Sequence, residues 1–79
     1  MKKFGIVNKD VMQDPAISLQ AKGVYGLLST FAGKDRTCYP TITTLSELSG
    51  TSRRTVERAL QELKEKDYVI KQGKVFTLR

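Results

Sequence analysis

The sequence predicts a mainly α domain with a small β-hairpin: three helices followed by a two-stranded ribbon. Two observations carry this reading. Apolar residues recur at helical spacing in three segments, each opened by Ser or Thr, and two of the segments are followed by Gly. Beyond residue 67 the pattern changes to β-branched and aromatic runs around Gly73. At 79 residues the chain has surface enough to bury for one core only, so all these elements must share it.

Residues 1–17 read as an N-terminal arm, with a β-favouring run at residues 4–7, a mixed segment through Val11 and Met12, and a stop at Asp14-Pro15. Residues 18–79 read as the folded domain. Ser18 is placed to cap a first helix over residues 19–32, whose apolar face is read as Leu19, Val24, Leu27, Leu28 and Phe31, with Tyr25 in the same pattern. Gly33 follows as its terminator, and Gly23 and Gly26 are expected to admit a neighbouring helix. Residues 34–39 read as a short strand or connector, since Pro40 biases Tyr39 toward extended backbone.

Thr41 caps a second helix over residues 42–49 with Ile42, Leu45 and Leu48 on one face, and Gly50 ends it. Ser52 caps a third helix over about residues 52–66, where Val56, Ala59, Leu60 and Leu63 form an i, i+3, i+4, i+7 stripe. The runs at residues 68–70 and 74–78 make the hairpin, with Gln72-Gly73 at its tip. An isolated hairpin is marginal in water, so it must pack on the helices through some of Tyr68, Ile70, Val75 and Leu78.

Composition removes several classes of function. There is no histidine, which excludes His-based catalysis and His-containing metal sites. Cys38 is the only cysteine, so it forms no internal disulfide; it reads as a small filler and fits a reducing, cytoplasmic setting. The apolar run after Met1-Lys2-Lys3 ends at Asn8-Lys9-Asp10, too short for a signal peptide, and no segment is long enough to span a membrane. Glu47, Glu57, Glu62 and Glu65 show no paired-carboxylate, metal-ligand or phosphate-loop arrangement, so neither an enzyme nor a cofactor or small-molecule ligand is expected. The net charge of +6 favours a polyanionic partner.

Two short helices joined by a turn at Gly50-Thr51 make a helix-turn-helix, and the hairpin completes a winged form of it. Packing the apolar stripe of the third helix turns Arg54, Arg58 and Gln61 outward, where arginine can pair with guanine or clamp a phosphate. Thr51, Ser52, Arg53 and Thr55 add donors near the helix N-terminus, and Glu62, Glu65 and Asp67 stay at its far end. Lys71, Gln72 and Lys74 supply a basic wing.

Each feature also has a plain structural reading. Arg53 with Glu57 and Arg58 with Glu62 are spaced i, i+4 and could form surface ion pairs without any ligand. The wing lysines could simply keep a sheet edge soluble. A protein-interaction module is the competing class, resting on an apolar patch of Phe4, Ile6, Val11 and Met12.

The segments Leu19-Gln20-Ala21-Lys22-Gly23-Val24-Tyr25, Cys38-Tyr39-Pro40-Thr41, Thr44-Leu45-Ser46-Glu47-Leu48 and Gly50-Thr51-Ser52-Arg53-Arg54-Thr55-Val56 resemble the winged helix-turn-helix domain of plasmid and phage replication initiators and primosomal loader-like proteins. The likeness covers about residues 14–72. It implies double-stranded DNA as partner, with the third helix in the major groove, often as a homodimer on repeated or palindromic sites. Similar domains occur in bacterial transcriptional repressors. Where that family usually has glycine after the recognition helix, this chain has Asp67, so the turn into the wing is expected to differ.

Overall fold

A computed structural model of the chain describes residues 8–32 and 36–79. The readings on residues 4–7, on Gly33 as a helix terminator and on residues 34–35 lie outside these segments. The described elements are α1 (Lys9–Met12), α2 (Leu19–Phe31), β1 (Thr37–Cys38), α3 (Ile42–Ser49), α4 (Arg53–Glu65), β2 (Val69–Gln72) and β3 (Val75–Leu78). The fold is mainly helical with a small antiparallel sheet, a helix-turn-helix followed by a hairpin wing.

Each longer helix starts where a hydroxyl satisfies an amide that has no intrahelical partner. The side chains of Ser18, Thr41 and Ser52 accept from the amides of Ala21 (3.1 Å), Thr44 (3.1 Å) and Thr55 (3.2 Å). Gly50 closes α3 at φ +72°, a conformation that glycine adopts without a Cβ penalty. α4 ends on an Asp67 backbone at φ +60°, with Asp67 N–H donating to Lys64 O and Tyr68 N–H to Leu63 O. This is a Schellman closure. Aspartate thus occupies a left-handed position, and the turn into the wing forms without a glycine there.

The core contains the α4 stripe as read from sequence: Val56, Ala59, Leu60 and Leu63 are all buried. Against it pack Ala21, Val24, Tyr25 and Leu28 of α2, Leu45 of α3, Cys38 of β1, and Val69, Phe76 and Leu78 of the hairpin. Cys38 is fully buried, and burial pushes its thiol above the usual cysteine range. The Tyr25 hydroxyl donates to the backbone oxygen of Arg79, and the Arg36 guanidinium donates to the same hydroxyl at 3.1 Å.

Several face assignments are corrected. Leu19 is 82% exposed, because it precedes Leu28 by nine positions, two and a half helical turns, and so faces the opposite way. Ala21, absent from the face as read, takes a core position instead, while Tyr25 is buried as read. Phe31, the last residue of α2, and Leu48 of α3 are also exposed. A Cβ at Gly23 or Gly26 would meet nothing within 4 Å, so neither glycine serves a close helix approach. In the hairpin Ile70 points outward and Val69 inward; on β3 Phe76 and Leu78 are buried while Val75 is only half-buried. Strand side chains alternate, so the inward set is Val69, Phe76 and Leu78.

The span read as an arm contains more structure than its composition signals. Residues 9–12 form the helical turn α1, capped by Asn8, and both Val11 and Ile17 lie in the core. Val11 therefore cannot belong to an exposed apolar patch, and Met12 packs against the core as well; Phe4 and Ile6 lie outside the described residues. Of the two readings of residues 34–39, the short strand holds at Thr37–Cys38: β1 pairs with β3 (Thr37 with Thr77, Cys38 with Phe76) and extends the hairpin to a three-stranded sheet in the order β1-β3-β2.

Candidate nucleic-acid interface

The turn between α3 and α4 is held by its own hydroxyls. Ser46 Oγ donates to Thr51 O at 2.6 Å, Ser49 Oγ and Thr51 Oγ1 share a hydrogen bond at 2.8 Å, and Ser52 Oγ and Thr55 Oγ1 share another at 3.0 Å. Thr51, Ser52 and Thr55, read from sequence as donors to a ligand, are thus engaged in building the turn and capping α4. These bonds fix the angle at which the second helix leaves the first.

Burial of the apolar stripe leaves Arg53, Arg54, Glu57 and Arg58 exposed on the first half of α4 and Gln61 exposed just beyond its middle. Arg54, Arg58 and Gln61 lie along the ridge opposite the core, with Arg53 and Glu57 on the flank toward the wing. Arg54 and Arg58 are about 6 Å apart along the axis, matched to neighbouring positions on one groove. Gln61 donates to Glu65 at 3.2 Å.

The ion-pair reading of these arginines is not what the described residues show. The single ion pair among them joins Lys66 to Asp14 at 3.7 Å; neither Arg53 with Glu57 nor Arg58 with Glu62 forms one. Glu62 is engaged elsewhere. Its carboxylate accepts from Ser18 N at 2.8 Å and Ser18 Oγ at 2.7 Å, bracing α4 against the start of α2. Glu57 sits exposed in the second turn, so the first half of α4 carries one negative charge beside its three arginines.

The wing is a two-residue loop between Gln72 and Val75, which pair across the hairpin, and Gly73 supplies φ +61°. Lys71 pairs with Phe76 and holds its ammonium 5.7 Å from the centre of that ring. Because successive strand residues alternate, Lys71 faces α4 while Gln72, paired in β2 rather than at the tip, faces away. Lys71 and Lys74 line one groove with Tyr39 and Thr41, and Lys71 also lines the groove beside Glu57, Gln61 and Lys64 of α4. The structure therefore groups Arg53, Arg54, Arg58, Lys71 and Lys74 around α4 and the wing, and leaves Gln72 on the other face.

Sequence reasoning passed over Tyr39, which is 68% exposed beside the wing lysines. The signal for it was the tyrosine before Pro40, read only as a backbone constraint. Among the described residues no group of His, Cys, Asp and Glu could hold a metal ion, and no helix is long and apolar enough to cross a membrane.

A family model described as a helix-turn-helix domain matches residues 16–69, from just before α2 to the first residue of β2. No curated protein and no solved structure gives a match. The matched span is more than half of the chain and contains α2, α3, the turn and α4 in full; the chain belongs to the helix-turn-helix domain family.

Proposed function

We propose that this chain is a sequence-specific double-stranded DNA-binding module, with α4 entering the major groove by its N-terminal half and the wing lysines on the flanking backbone. The observation that carries the reading is the state of the α4 arginines. Arg53, Arg54 and Arg58 are exposed along the helix that the helix-turn-helix presents, and none forms an ion pair with a described acid. Membership of the helix-turn-helix family and the net charge of +6 support the same partner.

In this reading Arg54 and Arg58 read base edges, Arg53 clamps a phosphate, and Lys71 and Lys74 neutralise the neighbouring strand. Thr51, Ser52 and Thr55 orient the helix and can offer their remaining hydrogen-bonding capacity to phosphate. The chain carries out no chemical step and acts in the cytoplasm. Its setting is plasmid or phage replication initiation, which rests on the sequence resemblance alone; the same module would serve a transcriptional repressor. A homodimer on a repeated site follows from that resemblance too.

The test is a titration of a fluorescent duplex at several salt concentrations. Neutralising about six phosphates gives a slope of log K against log salt near −5. A slope near zero would remove the polyanion as partner, and the protein-interaction reading would replace it.

A further inference from the structure

Tyr39 presents an aromatic ring and a hydroxyl to solvent at a place where the fold has no evident use for either. It is 68% exposed, and no hydrogen bond among the described residues involves its hydroxyl. Pro40 holds the backbone here, and strand β1, ending at Cys38, anchors it to β3. The side chain is therefore exposed on a fixed mount rather than on a loose loop.

Its surroundings are cationic. Tyr39, Thr41, Lys71, Lys74 and Phe76 line one open groove between the connector and the hairpin. That groove continues into the one beside α4, because Ile42, Lys71 and Phe76 border both. The groove meets α4 on the flank that carries Glu57, Gln61 and Lys64, so a duplex seated on the exposed face of the helix reaches Lys71 and Tyr39 along that side.

Resting on the DNA-binding reading, we propose that this groove holds one sugar-phosphate strand of the duplex flanking the segment read by α4. Lys71 and Lys74 pair with successive phosphates, the Tyr39 hydroxyl donates to a phosphate oxygen, and its ring lies against a deoxyribose. The chemistry suits the residues: a backbone strand offers charge to the lysines, an acceptor to the phenol and an apolar edge to the ring, whatever the base sequence. Tyrosine makes such a contact with few rotatable bonds to immobilise. A base-reading site would need amide or guanidinium groups aimed at base edges, and Gln72, which could supply one, faces away.

The experiment compares wild type, Tyr39→Ala, Tyr39→Phe and the double variant Lys71→Gln/Lys74→Gln, each titrated with an enriched duplex and a scrambled one across a salt series. Tyr39→Ala should weaken both duplexes by the same factor, about tenfold, with Tyr39→Phe between it and wild type. The double variant should flatten the salt slope by about 2. Tyr39 is exposed, so the melting temperature of both Tyr39 variants should match wild type, and Tyr39→Phe keeps the ring in any case. Wild-type affinity in Tyr39→Ala, or a loss confined to the enriched duplex, overturns the backbone groove while DNA binding by α4 stands. A wild-type chain that binds neither duplex overturns both readings together.

Discussion

Ser18 and Glu62, 44 positions apart, are joined by two hydrogen bonds: the backbone amide and the hydroxyl of Ser18 both donate to the Glu62 carboxylate, at 2.8 and 2.7 Å. The same hydroxyl accepts from the amide of Ala21, so one side chain caps α2 and ties it to α4. The carboxylate that local spacing would assign to Arg58 is used for architecture, and Arg58 is left exposed.

Removing that tie should loosen the docking of α4. Glu62→Ala is expected to cost about 1.5–3 kcal/mol of stability, the range for hydrogen bonds to a charged group. For a domain of this size each 1 kcal/mol lowers the melting temperature by about 4–8 °C, readable by circular dichroism. A melting temperature equal to wild type would show that the bracing contributes nothing.

Asp14 and Tyr68 give the fold an acid-sensitive clasp. The Tyr68 hydroxyl donates to Asp14, and this bond, the Ala16 amide and Lys66 together hold the Asp14 carboxyl below its ordinary value. A lowered folded-state value means the ionised form is favoured by folding, so the stabilisation is present above the ordinary value of 3.8 and is lost as pH falls through the folded value. Asp14→Asn should therefore be less stable than wild type at neutral pH and show a shallower loss as the pH falls below the ordinary value of 3.8. Parallel acid limbs for the two proteins would contradict the clasp.

Asp67 carries a left-handed backbone without being glycine. Asp67→Gly should raise stability by a few tenths to about 1 kcal/mol, the gain from the relieved Cβ being partly offset by the freer unfolded chain. Asp67→Val should lower it. The opposite order in chemical denaturation would mean that the aspartate side chain, rather than the backbone, governs the turn.

Glu57 is a carboxylate on the flank of the proposed DNA-contacting helix. A phosphate about 7 Å away repels it by roughly 0.5 kcal/mol in water, so Glu57→Gln should tighten binding to any duplex about two- to threefold at low salt. The gain should fade as salt rises. Unchanged or weaker binding would place Glu57 away from the phosphates or in a favourable contact with a base.

The sequence was most legible where one pattern had one explanation. α4 has a regular stripe of four apolar residues and a serine cap, and both its bounds and its buried face are as read. α2 has apolar residues on more than one side: Val24, Tyr25 and Leu28 are buried as read, while Ala21, too small to mark a face, completes the 3.6-residue stripe that Leu19 and Phe31 do not share. β1 and α1, of two and four residues, are too short to carry a period; Pro40 alone signals β1, as a short strand or connector, and nothing signals α1. They form because β3 offers a free edge and because the core has room for Val11 and Ile17. Within the candidate site, the arginines were legible from composition and spacing. That Glu62 would be taken by Ser18, or that Tyr39 would stand beside Lys71, depends on contacts between distant segments that no local pattern encodes.

The central claim is that the exposed ridge of α4 reads DNA sequence. Selection of duplexes from a random library by the wild-type chain and by Arg54→Ala, at low and near-physiological salt, tests it most directly. Wild type is expected to enrich a motif that persists at the higher salt and that loses its preference at one position in Arg54→Ala, with about 1–3 kcal/mol of affinity lost on the wild-type site. Enrichment of no motif by wild type, or the same motif at the same strength from Arg54→Ala, would contradict readout by α4.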